Sequence, residues 1–316
     1  MSDYTDARSQ PGKKGAGGSD DRELYLREFG EMTIEAWDET FDFKDATYSK
    51  TISRGKSETF PIIGRKRDAV EHVPGEEVLG GTIEHDEVEI SLDGILIESA
   101  FIAEIDEHLV HYDLGAPYAR QIGESIASTE NQRIGSLLVK ASRVTTPPYT
   151  GGPVPSYHYH ADMRTDPSHL EEAAFLGIEH IRKNDIGGGQ SRYWLPWKQQ
   201  LLLARYTGID TEETSGSGDR SAGTVGRIAG LEVKGTNSVP STNITTGRAK
   251  YQGDFTTTVG VIANQMAVGT LNKRGLRVVM DEQKRRLGTL MLGSKFAGHG
   301  ILRPECSFEV ADTVRS

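Results

Sequence analysis

The stretch KTISRGKSETFPIIG, residues 50–64, admits two readings that lead to different folds. Its Gly55-Lys56-Ser57 ends like the phosphate-binding loop G-x-x-x-x-G-K-[ST]. In that loop a strand feeds a turn of backbone N–H groups, and a helix then begins with its positive end at the phosphates. The position that needs the first glycine is Lys50, and Ser57 is followed by Glu58-Thr59-Phe60-Pro61-Ile62-Ile63-Gly64. A proline and β-branched residues so close behind oppose a helix. The stretch is therefore read as a strand of a long hairpin, and no nucleotide domain is built on it.

Working outward, residues 47–97 have no helical period and are punctuated by Gly55, Gly64, Pro74-Gly75, Gly80-Gly81 and Gly94, with alternation in EVEISL. Glycine and proline at such intervals mark turns between extended segments. Arms of about 15 residues would reach roughly 50 Å at 3.3 Å per residue. Such an arm needs something outside its own subunit to lie on.

Charge is distributed unevenly around this hairpin. From Lys50 to Arg67 there are six basic residues against one acid, Glu58, whereas Asp68 to Ala119 holds fourteen acids and no lysine or arginine. Opposite charge on adjacent segments suits a head-to-tail assembly, although solvated faces are the commoner meaning of charge runs. The net charge of −10 argues against a chain that coats nucleic acid, which needs a basic face to release counterions.

The rest of the chain of 316 residues is long enough for two lobes. Residues 1–19 are polar and glycine-rich and read as a mobile tail. A capping signal at Asp20 with Glu23 opens an amphipathic helix of about 18 residues carrying Tyr25, Phe29, Met32, Ala36 and Trp37. A long helix is predicted over 117–142, with Ala119, Ile122, Ile126, Ile134, Leu137, Leu138 and Ala141 on its apolar stripe. TTPPYTGGPVP at 145–155 ends it. A helix from Asp166-Pro167 carries Leu170, Ala174, Ile178 and Ile181, and stops before the hinge Gly187-Gly188-Gly189. Another helix runs from Pro196 through Tyr206. Strands follow at 223–240, 256–266 and 276–281, and the last segment, 289–310, reads as a strand that turns at Gly298-His299-Gly300 and returns.

Candidate chemistry is sparse. His158, His160 and Asp162 in YHYHAD could begin a metal site, because alternate strand residues share a face, but the prolines and glycines around them suggest an exposed loop. No nucleophile elbow such as G-x-S-x-G is present. Cys306 is the single cysteine, which excludes an internal disulfide and a cysteine-based zinc cluster. No uncharged apolar run approaches the roughly 18 residues of a membrane span, and no signal peptide is evident. The pattern predicts a protein made and used in the cytosol, without cofactor, membrane or enzymatic role.

Several blocks resemble the major capsid protein of short-tailed phages of the podovirus class: SRGKSETFPIIGR (53–65), VPGEEV (73–78), ISLDGILIES (90–99), DEHLVHYDLGAPYARQIGESIA (106–127) and KFAGHGILRPE (295–305). GRIAGLEVKGTNSVP (226–240) is similar to a strand-glycine-strand signature in the outer lobe of many tailed-phage capsid proteins. The blocks keep their order over about 250 residues, whereas 143–222 departs from the pattern in length and composition.

The resemblance implies an α+β tailed-phage capsid fold. Its parts would be an N-terminal arm (1–49), an extended hairpin loop (50–97), a peripheral domain with a spine helix (98–185), an axial domain (186–262) and a return to the peripheral domain (263–316). It implies pentamers and hexamers closing into an icosahedral head around double-stranded DNA, held without sequence-specific contacts. It also implies a portal protein at one vertex and, with no N-terminal extension of about 100 residues, a separate scaffolding protein. The protein would sit in the virion shell after assembly in the host cytoplasm, and a cement protein is left open. The hairpin would overlap a neighbour, with basic Arg54, Lys56, Arg65, Lys66 and Arg67 against an acidic stretch that includes Glu84, Glu87, Glu89, Glu104 and Glu107. The competing readings are a non-viral compartment shell of the same fold and a metal enzyme using His158 and His160.

Overall fold

The computed structural model describes residues 21–64, 69, 71, 72, 75, 77, 82–103, 105, 115–147, 149, 152–186, 190–206 and 225–314. The tail at 1–19, the hinge glycines 187–189, Arg65, Lys66, Arg67, Glu104 and Glu107 lie outside the described residues. Along the chain come α1 (Asp21–Thr40), β1 (Tyr48–Thr51), β2 (Ser57–Ile63), β3 (His85–Ser91), β4 (Leu96–Ala103) and the long α2 (Gly115–Ser142). They are followed by β5 (Ser156–Tyr159), α3 (Pro167–Lys183), β6 (Ser191–Leu195), α4 (Trp197–Ala204), β7 (Arg227–Ile228), β8 (Leu231–Gly235), β9 (Asn243–Ile244) and β10 (Gly253–Asp254). The last strands are β11 (Thr258–Asn264), β12 (Val268–Gln283), β13 (Gly288–Ile301) and β14 (Ser307–Ala311).

The chain divides into two compact units, residues 1–41, 95–128 and 275–295 in the first, and 42–94, 129–274 and 296–316 in the second. In the first, β4 pairs antiparallel with the start of β13, Gly288 opposite Ala103 through Lys295 opposite Leu96. Phe29, Ile102, Ala119, Ile122, Ile126 and Met291 form its core. The apolar stripe of the long helix is what fills it. Gly123 lets α1 approach closely, since a Cβ there would stand 2.4 Å from the carbonyl oxygen of Thr33.

The second unit is built on a six-stranded mixed sheet in the order β5-β14-β11-β6-β8-β7. β11 is antiparallel to both its neighbours, while β5 runs parallel to β14 and β8 parallel to β6. All residues of β11 and β14 are buried, as expected of central strands covered on both faces. α3 and α4 contribute Leu170, Ala173, Ala174, Ile181, Leu203 and Ala204 to the core over this sheet. α3 starts where the sequence places it: the Asp166 carboxylate accepts the Ser168 N–H at 2.9 Å, and Pro167 takes a first-turn position.

Three expectations change. First, Gly55 has φ +90° and stands in the turn between β1 and β2, so Gly55-Lys56-Ser57 is not mid-strand. Second, the described hairpin strands are seven residues each, not about 15. Its inner face packs on its own unit, with Phe60 and Ile90 joining Ile52, Leu271 and Leu302. Third, β13 runs straight through Gly298-His299-Gly300, and the chain reverses later, at a 3-10 turn over Pro304–Cys306. The glycines serve close packing there: a Cβ on Gly298 would lie 2.3 Å from the carbonyl oxygen of Ser91.

Candidate assembly interface

The β2–β3 hairpin is antiparallel, with Thr59 opposite Glu89, Pro61 opposite Glu87 and Ile63 opposite His85. A hydrogen bond of 2.8 Å from the Gly64 N–H to the Glu84 carbonyl extends the ladder. Because side chains alternate, Phe60, Ile62 and Ile90 turn inward, while Thr59, Pro61, Ile63, His85, Glu87 and Glu89 form an exposed outer face. Pro61 is tolerated because a two-stranded ribbon has only edges.

The charges predicted for this site are open. Lys50 is paired with Glu58, the single acid of the basic segment. Arg54 and Lys56 are exposed and, among the described residues, their side chains have no partner. The carboxylates of Glu84, Glu87 and Glu89 are likewise exposed and unpaired among the described residues. The structure thus brings both signs onto one hairpin: cations at its foot and carboxylates along β3.

The foot is anchored by a buried charge cluster that the sequence did not reveal. The Leu92 N–H donates to the Lys56 carbonyl at 2.8 Å, and Asp93 follows with 1% exposure of its side chain. Lys250 Nζ lies 2.6 Å from its carboxylate, Arg133 3.7 Å and Arg248 3.8 Å. The Tyr251 hydroxyl also donates to it. Burial, then this hydrogen bond and the Asp93 charge, push the Tyr251 phenol well above its ordinary pKa. Lys140 of α2 donates to the carbonyls of Lys250 and Gln252 at 2.9 and 3.1 Å, which holds that segment in place. Burial moves the Lys140 amine below its ordinary pKa.

His158 and His160 are engaged in contacts of another kind. His160 stacks on His169 with ring centroids 3.4 Å apart, and its Nδ1 accepts the Asp162 N–H at 3.1 Å. Burial lowers the His158 pKa, with Glu172 opposing. Among the described residues, no group of three or more His, Cys, Asp or Glu side chains is placed to hold a metal ion. Ser57 opens a strand where a phosphate loop would need a helix.

The hairpin therefore displays exposed charges above a foot held by a buried carboxylate. A model described as Gp10A-like major capsid protein matches residues 59–311. The chain belongs to the Gp10A-like major capsid protein family. The major capsid protein of Enterobacteria phage T3 is 25% identical over a 339-residue alignment that covers 93% of this chain and 93% of that protein. The capsid structure of cyanophage P-SCSP1u is similar with TM-score 0.77 and 28% identity, covering 86% of this chain and 88% of that one. The mature capsid of bacteriophage PhiM1 gives TM-score 0.71 at 17% identity, with 87% of each chain covered, and at that identity speaks for the fold alone.

This Gp10A-like capsid subunit therefore has the tailed-phage major capsid fold and is a structural protein of the phage virion that assembles with itself into an icosahedral shell. The resemblance to capsid proteins of short-tailed phages holds. Neither the non-viral compartment nor the metal enzyme is favoured.

Proposed function

We propose that the subunit forms pentamers and hexamers closing around double-stranded DNA, and that the hairpin of each copy lies over the next. In this reading Arg54 and Lys56, continued by Arg65, Lys66 and Arg67, face Glu84, Glu87 and Glu89, continued by Glu104 and Glu107, of a neighbour. The arm (1–49), loop (50–97), peripheral (98–185 and 263–316) and axial (186–262) segments take the roles named above. Assembly occurs in host cytoplasm with a scaffolding protein and a portal at one vertex, and the subunit itself catalyses no reaction.

The observation that supports this reading is the hairpin's unpaired charge of both signs, displayed on an element whose other face is already buried. A single exposed pair contributes only about 0–1 kcal/mol. Every subunit of a closed shell repeats the contact, so small terms act together. Reversing Arg65, Lys66 and Arg67 to glutamate should abolish shells in negative-stain images while leaving a folded subunit, and reversals in the acidic stretch should partly restore them. If the basic arm instead faces DNA, the triple variant still gives empty shells at normal yield, which would end this reading of the interface.

A further inference from the structure

A second pair of surfaces, away from the hairpin, is matched in chemistry and spacing. α4 turns Gln199, Gln200, Leu203 and Ala204 inward and leaves Trp197, Lys198 and Leu201 exposed, with Arg205 just past its end. Trp197 and Leu201 are four residues apart, hence neighbours on one face, and each is 49% exposed. The indole is held from behind. A Cβ on Gly235 of β8 would lie 2.8 Å from its Cε3 atom, so the missing side chain is what seats the ring. A large aromatic fixed on one side and open on the other is the residue type that carries binding energy in protein interfaces.

α3 shows the counterpart. It buries Leu170, Ala173, Ala174, Gly177 and Ile181, and its opposite side exposes Glu172, Phe175 and Glu179, with Phe175 52% exposed. His169 lies 3.5 Å from Glu172, and Arg182 and Lys183 follow, exposed, in the last turn. On α4, Leu201 lies between two cations, Lys198 and Arg205; on α3, Phe175 lies between two carboxylates. In both helices the charges are seven residues apart, about 10.5 Å at 1.5 Å per residue.

We propose that these faces meet across subunits: Trp197 and Leu201 of one copy pack on Phe175 of the next, with Lys198 and Arg205 opposite Glu172 and Glu179. The faces are complementary and not identical, so the contact is head to tail, the type that closes into a ring when the rotation allows. The inference rests on the assembly reading and names a second, mainly apolar contact within it.

The test uses the full chain in the expression system in which the wild type forms shells. Lys198→Glu/Arg205→Glu and Trp197→Ala/Leu201→Ala should each lower shell yield by about tenfold or more, the loss an anchor of this kind carries. Circular dichroism should show a folded subunit for the charge variant. Adding Glu172→Lys/Glu179→Lys to that variant should restore shells. Wild-type yield from both variants, or no recovery in the compensated chain, would overturn the inference while the assembly reading stands.

Discussion

The Nζ atom of Lys250 lies 2.6 Å from Oδ1 of Asp93, a carboxylate with 1% of its side chain exposed, at the foot of the hairpin. Arg133, Arg248 and Tyr251 converge on the same group. One buried anion thus joins the end of the hairpin to the middle of α2 and to the segment before β10.

Removing that anion should destabilise the subunit. Breaking a fully buried pair from one side costs roughly 3–5 kcal/mol, because the remaining charge is left uncompensated. The three cations here keep some contact with water, at 32%, 21% and 52% side-chain exposure, so the loss for Asp93→Asn should be nearer about 2–3 kcal/mol. Urea unfolding of the free subunit measures it. An unchanged midpoint would show that the cluster is not an anchor.

Gly298 and Gly300 should respond differently to alanine. A Cβ at Gly298 would meet backbone, 2.3 Å from the Ser91 oxygen and 2.8 Å from the Leu92 Cα, which can move only if the hairpin foot moves. At Gly300 the nearest atom is Cγ1 of Ile90 at 2.9 Å, a side-chain contact longer than the backbone contact at Gly298. Overpacking typically costs about 1–3 kcal/mol, and Gly298→Ala should fall at or above the top of that range while Gly300→Ala falls below it. Thermal unfolding of both variants checks the order, and a reversal would refute the packing account.

These glycines also show where sequence reading stops. Signals written within a few residues were legible: the Asp166-Pro167 start of α3, the stripe of α2 from Ala119 to Ala141, and the break after Ser142. Gly298-His299-Gly300 looks like a turn locally, and its purpose depends on Ser91, about two hundred positions away in the chain. The same holds for Asp93, which gave no sign of its partners at 133 and 248–251. The charge asymmetry that singled out Arg54, Lys56 and Glu84 to Glu89 was legible because it is compositional. Sequence placed α4 correctly but could not show that Trp197 is open, because exposure depends on Gly235.

Glu305 makes stability depend on pH in an unusual sense. It is buried, its Oε2 has no hydrogen-bond partner among the described residues, and burial raises its pKa above the ordinary 4.5 despite the opposing charge of Arg303. A raised carboxyl pKa means that the fold binds the proton more tightly than the unfolded chain does. Its contribution is therefore fully present below pH 4.5 and is lost as pH rises through the higher folded value. Glu305→Gln should be more stable than the wild type at pH 7, with the gap closing toward pH 4. Denaturant midpoints across that range give the answer, and a gap that widens on acidification would reverse the assignment.

Salt should separate the two proposed contacts. Attraction between exposed charges is screened over about 8 Å at physiological ionic strength and over about 3 Å at 1 M. Burial of an indole and a leucine is not screened in this way, because it draws on the release of water from apolar surface. Wild-type shell yield should therefore fall as salt rises, to a floor set by the apolar contact. Neutralising the hairpin cations as Arg54→Gln/Lys56→Gln should lower yield at low salt and flatten the dependence, since there is less charge left to screen. Trp197→Ala/Leu201→Ala should keep the wild-type slope and lower yield at every salt concentration. Light scattering during assembly, run across a salt series for the three chains, resolves the slopes. Equal slopes for the wild type and the Arg54→Gln/Lys56→Gln variant would show that these two cations take no part in the contact, and the hairpin's charge pairing would then have to rest on Arg65, Lys66 and Arg67 alone.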